Sequence, residues 1–74
     1  MTLLEIAQIY TDLVKLEKEI SPEDLQAKDQ ANALRTTYHE ILMDKMRQEG
    51  IEFSDRFDAM NKAFQLIAQQ SSAA

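Results

Sequence analysis

The sequence contains no cysteine, and it has only one proline, one glycine and one histidine among its 74 residues. Without cysteine, the chain forms no disulfide and offers no thiol chemistry. A single histidine excludes a histidine-rich metal site, and a single glycine excludes the glycine-rich loops that cradle phosphates. So few turn-forming residues also argue against a fold of many strands. These absences favour a small helical domain.

The chain also lacks a long apolar run. No stretch approaches the roughly 18 uninterrupted apolar residues of a membrane-spanning helix, and Glu5 interrupts the first apolar stretch. Because no basic segment precedes that stretch, we expect no signal peptide and, by default, a cytoplasmic location. The apolar fraction of 45% is too high for a disordered chain of this charge.

Acidic residues outnumber basic residues by thirteen to eight, which gives a net charge of −5 at neutral pH. A surface that binds nucleic acid is typically basic, so this balance argues against nucleic-acid binding. Acidity by itself indicates solubility more often than a particular function.

Two stretches of the chain carry residues that start and stop helices. Ser21 can cap free N–H groups and Pro22 suits a first helical turn, with acids following at the positive end of the helix dipole. Gly50 tolerates the left-handed conformation that ends many helices. Ser54 then begins the last helix, and Thr2 begins the first, in a capping box with a glutamate three residues later.

These signals predict an all-α fold. We expect a single helical domain over residues 1–70, with helices at about 3–20, 22–49 and 54–70, and a frayed tail at 71–74. Short connections make sequential helices antiparallel neighbours. The predicted architecture is therefore an antiparallel three-helix bundle with a long central helix, completed by oligomerisation.

Apolar residues recur at helical spacing in all three segments, so each helix should bury one face. On the first helix, the predicted face consists of Leu3, Ile6, Ala7, Ile9, Tyr10, Leu13, Val14, Leu16 and Ile20. On the second, it consists of Ala27, Ala31, Leu34, Tyr38, Ile41, Leu42 and Met46. On the third, it consists of Phe57, Met60, Ala63, Phe64, Ile67 and Ala68. Met43 and Leu25 fall on the back of the second helix, and Leu66 falls on the back of the third.

The predicted helices differ in length. At 1.5 Å per residue the second would be about 40 Å long, the first about 27 Å and the third about 25 Å. The third helix would end near Leu34 or Ala31, so the corner between the first two helices would lack a third layer. An exposed apolar patch of several hundred Å² usually marks an interface.

We therefore predict that a protein partner, such as a second copy in a homodimer, binds at this corner. The predicted contact residues are Leu13, Leu16, Ile20, Leu25, Ala27 and Ala31. The alternative is that Ala27 and Ala31 simply make room for Tyr10 of the first helix and that the tail extends the third helix.

Three ionisable residues lie at positions that suit either a functional or a structural role. Glu17 lies in the apolar face of the first helix, as a poised acid or as a charge that fixes a partner's register. The alternative, which we favour, is that Glu17 pairs with Lys28 across the turn or is exposed near the helix end. Lys45 lies mid-face on the second helix, where it would extend past Phe57 to reach solvent. His39 has no second ligand at metal-site spacing, so we expect it to be solvated.

The sequence therefore predicts a non-catalytic protein-interaction module: a small acidic helical adaptor, regulator or inhibitor. No serine or threonine has a partnered histidine and acid at recognisable spacing, so we expect no enzyme, no cofactor and no metal site. The alternative is a nucleic-acid-related regulator. It would be a weak DNA binder that uses the turn between Arg47 and Arg56, or a mimic that offers carboxylates in place of phosphates.

Overall fold

A computed structural model describes residues 1–72 of the chain, and in chain order it has three α-helices. These are α1 (Leu3–Glu19), α2 (Leu25–Gln48) and α3 (Arg56–Ser72). No strand occurs within residues 1–72, which confirms the all-α prediction. The central helix is the longest, with 24 residues against 17 in each neighbour. At 1.5 Å per residue, α2 therefore exceeds the other helices by about 10 Å.

The first helix begins at the predicted capping box. The Thr2 hydroxyl accepts the Glu5 N–H at 3.1 Å, and the Glu5 carboxylate accepts the Thr2 N–H at 3.1 Å. These bonds from Thr2 hold the pKa of Glu5 below its ordinary value. At the other end, the Ile20 N–H donates to the Leu16 carbonyl, and the helix stops at Glu19, one residue earlier than predicted. Both ends of α1 are therefore set by local bonds.

The second helix begins three residues later than predicted. Ser21 and Pro22 belong to a turn, in which the Asp24 N–H donates to the Ser21 carbonyl at 3.0 Å. The capping residue is Asp24, whose Oδ1 accepts the Ala27 N–H at 3.1 Å. The chain reverses direction after α1, and residues 21–23 make that turn. Because they are used in the turn, the helix starts later than the sequence predicts.

The second helix ends at Gln48, one residue before its predicted end, and Gly50 is the stop signal as predicted. Gly50 has a φ of 74°, the left-handed conformation that an L side chain rarely adopts. The Ile51 N–H donates to the Met46 carbonyl at 2.8 Å, and the Gly50 N–H donates to the Arg47 carbonyl at 3.2 Å. This pair of bonds is the Schellman motif, which satisfies carbonyls that the helix end would otherwise leave free.

The third helix begins at Arg56, two residues later than predicted. Asp55 Oδ1 accepts the Asp58 N–H at 2.8 Å, and Asp58 Oδ2 accepts the Ser54 N–H at 2.9 Å. The bond from Ser54 is the main reason that the pKa of Asp58 lies below its ordinary value. The helix continues two residues past its predicted end, and residues 73–74 of the predicted frayed tail lie outside the described residues.

The connection 49–55 does not make the tight turn that the prediction assumed. It returns along α2, so that α3 begins beside the middle of α2, where the Arg56 carbonyl accepts a hydrogen bond from His39. Farther along both helices, Leu66 and Lys45 line the same surface pocket. α3 therefore advances in the same sense as α2, and the expectation that all neighbouring helices are antiparallel is wrong for this pair. Seven extended residues reach about 20 Å, enough for the roughly 15 Å return to His39.

The core lies where α1 packs against both other helices. Its buried residues are Leu3, Ile6, Ala7, Tyr10, Leu42, Met43, Met46, Ala59 and Ala63. Ala7, Ala59 and Ala63 have no exposed surface, and their small side chains let α1 and α3 approach closely. Ile51 and Phe53 of the connection pack against the same core.

α2 presents a different face to the core than its periodicity predicts. Met43, which the sequence placed on the back of the helix, is buried together with His39. Leu34 and Ile41, which the sequence placed in the core, are exposed. The connection carries α3 onto the side of α2 that holds His39, and this shifts the buried arc. Phe57, a predicted core residue in the first turn of α3, is 72% exposed.

Candidate functional site

A buried polar link joins the three helices beside the core. The Tyr10 hydroxyl of α1 lies 3.2 Å from Nδ1 of His39 in α2. His39 Nε2 lies 3.1 Å from the carbonyl oxygen of Arg56 at the start of α3. Since a carbonyl can only accept, Nε2 carries the proton and donates it, and in the neutral ring Nδ1 accepts from the tyrosine hydroxyl. Tyr10 and His39 are 1% and 5% exposed.

The expectation that His39 is solvated is therefore wrong, because α3 covers the side of α2 that periodicity marks as polar. Burial lowers the pKa of His39, and the positive charges of Arg56 and Arg35 also oppose its protonation. Burial likewise raises the pKa of Tyr10. Both groups are thus held in their neutral forms near pH 7. With both ring nitrogens bonded inside the chain, His39 holds helices together rather than presenting a reactive group.

A second polar contact ties the end of α1 to α2. The Glu17 carboxylate pairs with Nε of Arg35, whose guanidinium also donates to the Asn32 side chain. Lys28 Nζ donates to the backbone carbonyl of Glu17 at 2.9 Å. Glu17 therefore forms an ion pair, but the prediction that Lys28 is its partner is wrong. Arg35 reaches the carboxylate instead, and Lys28 bonds the main chain.

An open cleft of about 280 Å³ lies beside this ion pair, between the end of α1 and the start of α2. It exists because α3 begins beside His39 and leaves the first part of α2 without a neighbour on this side. We call it the cationic cleft; it is lined by Tyr10, Val14, Glu17, Lys18, Lys28, Arg35 and Met60. The first corner is thus open, but because α3 starts beside His39 and not because α3 ends short of the corner, and charged side chains surround the opening.

The six residues predicted to contact a partner differ in exposure. Leu16 is 49% exposed and Leu25 is 72% exposed. Three are half-buried, namely Leu13, Ile20 and Ala27. Ala31 is buried within its own chain, so it offers no surface to a partner. The corner therefore keeps part of its predicted apolar surface and loses the residue nearest the core.

Three exposed apolar residues of α1 and α2, namely Leu16, Leu34 and Ile41, lie on the side away from α3. Leu25, the most exposed of the predicted contact residues, lies only about 40° around α2 from His39 and is not part of this side. Leu34 and Ile41 are 51% and 38% exposed. At 3.6 residues per turn they lie about 140° and 160° around α2 from His39, which faces α3. We call this surface the α1–α2 face; it consists of Ile9, Leu13, Leu16, Ile20, Ala27, Leu34, Tyr38 and Ile41, all of them exposed or half-buried.

The register of α1 against α2 brings the two halves of this face together. Glu17 contacts both Lys28 and Arg35, and the start of α1 lies beside Lys45, so Leu16 lies at the level of residues 29–36 of α2. The apolar residues of α1 and those of α2 on this face therefore lie at matching levels of two packed helices.

Sequence reasoning missed Leu34 and Ile41 as surface residues because it assigned them to the core. The signal that could have found them is the width of the apolar arc on α2. One stripe contains Met43 and Met46, the other contains Leu34 and Ile41, and together they span more than a single face. A helix with so wide an arc needs more than one neighbour.

The arginines of the predicted DNA-binding turn have partners within the chain. Arg47 Nη1 lies 3.1 Å from Asp44 Oδ1, and its guanidinium carbon lies 5.3 Å from the centre of the Phe53 ring. Arg56 Nη1 lies 3.8 Å from Glu40 Oε1. The contact with Phe53 and the Arg56–Glu40 pair join the connection and the start of α3 to α2, and each arginine lies beside a carboxylate.

Lys45 lies beside Glu49 and not beside Phe57, where the sequence placed it. Its ammonium is 3.8 Å from Glu49 Oε2, and its side chain lines a pocket with Leu3 and Leu4 at the start of α1. The prediction was wrong because it assumed that α3 starts at the end of α2.

Within residues 1–72, no group of three or more side chains is arranged to hold a metal ion. None of the three helices is long and apolar enough to cross a membrane. No family model, curated protein or solved structure matches the chain.

Proposed function

We propose that the chain is a non-catalytic protein-interaction module, a small acidic adaptor, regulator or inhibitor, that binds through its α1–α2 face. The observation that carries this proposal is the exposure of Leu16 and Leu34 at one level of two adjacent helices. Single exposed apolar residues are ordinary on protein surfaces. A contiguous apolar patch is typical of an interaction site, because it gains free energy when a partner removes it from water.

A second copy of the chain is the occupant that suits this face. On the side away from α3, α1 and α2 form a two-helix layer, which we take to be antiparallel. Two such layers stacked face to face would make a four-helix arrangement. A twofold axis places the same patch of both subunits in contact, so the apolar residues would cover one another. We therefore propose a homodimer with α3 on the outside of each subunit.

The contacts of the basic residues favour this proposal over nucleic-acid binding. Arg47 and Arg56 each lie beside an acidic side chain, Asp44 and Glu40. A phosphate contact would have to compete with these carboxylates in a chain of net charge −5. The same geometry argues against an enzyme that uses His39, since both of its nitrogens are bonded inside the fold.

Solution mass over a range of concentrations tests the proposal. The wild-type chain of 8.5 kDa should approach twice that mass as its concentration rises. A double variant, Leu16→Asp and Leu34→Asp, should stay monomeric, because each subunit would place two charges in the interface. Both positions are half exposed, so we expect folding to be retained, which circular dichroism checks.

The matched control is Phe57→Asp, which also places a charge at an exposed large apolar residue, but on α3. It should leave the dimer intact. A wild-type chain that is monomeric at every concentration would contradict the homodimer. Equal loss of mass in Phe57→Asp and in the double variant would contradict the assignment of the α1–α2 face.

A further inference from the structure

The cationic cleft gathers positive charge on an acidic protein. The chain has eight lysines and arginines and a net charge of −5. Three of those cations, Lys18, Lys28 and Arg35, line this one opening, where Glu17 is the single carboxylate. The lining therefore carries about two positive charges, opposite in sign to the protein as a whole.

The side chains of the cleft divide into a structural pair and two cations that face the opening. Glu17 and Arg35 pair with each other. Lys28 donates to a neutral backbone carbonyl, which engages one of its three N–H donors and does not compensate its charge. Lys18 is exposed at the rim. Lys18 and Lys28 are thus positioned to bind an anion with charge-assisted hydrogen bonds.

The floor of the cleft is apolar. Val14 of α1 and Met60 of α3 are half-buried there, next to the ring of Tyr10. A methionine adapts its shape to a ligand and makes favourable contacts with aromatic rings. Small-molecule sites typically combine an apolar lining with a few polar groups that fix orientation, in volumes from about 300 Å³ upward. A cleft of about 280 Å³ suits a small ligand.

We propose that the cationic cleft binds a small organic anion. Its ring or short aliphatic group contacts Val14 and Met60, and its phosphate or carboxylate group accepts hydrogen bonds from Lys18 and Lys28. This site is separate from the α1–α2 face, because Leu16 and Val14 lie about 160° apart around α1. Binding here therefore does not depend on the proposed homodimer.

The test is an NMR titration of the full chain with phenyl phosphate. Inorganic phosphate supplies the charge without the ring, and benzyl alcohol supplies the ring without the charge. We expect phenyl phosphate to shift the amide signals of Val14, Lys18 and Met60, and to bind about tenfold more tightly than either of the other probes. Benzoate, titrated in the same way, distinguishes a carboxylate ligand from a phosphate ligand.

Single lysine variants locate the anion. Lys18→Gln and Lys28→Gln should each weaken the binding of phenyl phosphate about fivefold. Lys15→Gln is the matched control, since it removes the same charge from an exposed position of α1 outside the cleft, and it should leave affinity unchanged. Because Lys18 is exposed, its variant remains informative even if Lys28→Gln disturbs the fold.

Three results would overturn the proposal. The first is that neither phenyl phosphate nor benzoate, at millimolar concentration, shifts the amide signals of the cleft residues. The second is that inorganic phosphate binds as tightly as phenyl phosphate, which would show that the apolar contact contributes nothing to binding. The third is an equal loss of affinity in Lys15→Gln and Lys18→Gln, which would show that the net charge of the protein, and not the position of Lys18, determines binding.

Discussion

The Tyr10 hydroxyl and the Nδ1 atom of His39 lie 3.2 Å apart, and their ring centres are separated by 4.9 Å. Both side chains are buried, and the other nitrogen of His39 reaches the main chain of Arg56. One hydrogen-bonded chain therefore crosses α1, α2 and the start of α3. Among the described residues, no buried side-chain polar atom lacks a partner. The polar link is thus accommodated without an unpaired group, which would otherwise cost stability.

Stability should fall as the pH drops below about 6.5, the ordinary pKa of an unfolded histidine. Burial lowers the pKa of His39 in the folded state, so the unfolded chain binds the proton more readily. The contribution of the neutral His39 ring to stability is complete above the pKa of histidine in the unfolded chain. It is lost as the pH falls toward the lowered pKa of His39 in the folded state. Urea unfolding between pH 7.5 and 5 measures this slope.

Because the chain has one histidine, this pH window reports on His39 with little contribution from other side chains. The slope should disappear in His39→Gln, and a slope that persists in that variant would assign the effect to another group. Direct titration of the His39 ring by NMR in the wild-type chain should give a pKa below 6.5. A value above 6.5 would contradict the buried neutral ring.

Tyr10→Phe should destabilise the fold by about 1–3 kcal/mol, because it leaves Nδ1 of His39 buried without a donor. Chemical denaturation gives the free energy of unfolding. Tyr38→Phe is the control, since Tyr38 is half-buried outside the link, and it should change stability by less than about 0.5 kcal/mol. Similar losses for both tyrosines would argue that ring packing, rather than the hydroxyl, is what matters at Tyr10.

The start of α2 can be tested with two alanine substitutions. Asp24→Ala should cost about 1 kcal/mol, because it removes the oxygen that accepts the Ala27 N–H. Ser21→Ala should cost less, since Ser21 lies in the turn before the helix. Thermal unfolding of both variants ranks them. The reverse order would support the start at residue 22 that the sequence predicts.

Gly50→Ala should cost about 1–2 kcal/mol, because the left-handed φ of 74° brings the Cβ of an L residue close to its own backbone. No atom lies within 4 Å of the position of that Cβ, so the penalty comes from the backbone and not from a clash. Gly50→Asn should cost less than Gly50→Ala, since asparagine adopts this conformation more readily. Equal losses for both variants would point to a different cause.

Individual residues show how much of the fold follows from the sequence. Thr2 and Gly50 act as predicted, since a capping box and a left-handed turn depend on bonds within a few residues. Leu16 is exposed as the partner hypothesis requires, whereas Ala31 is buried against its own chain. His39 was unpredictable from spacing, because a histidine on the polar side of a helix becomes buried only if another element packs there.

By itself, the sequence determined that this chain forms three helices, that the middle one is longest, and where α1 begins and α2 ends. These features depend on local capping, backbone conformation and periodicity, which neighbouring residues specify. Only the tertiary structure decided which side of α2 is buried, that Tyr10 meets His39, and that Leu34 faces outward. Those features depend on the path of the connection 49–55, which carries α3 back along α2. The path is set by packing between residues far apart in the chain, which no local pattern records.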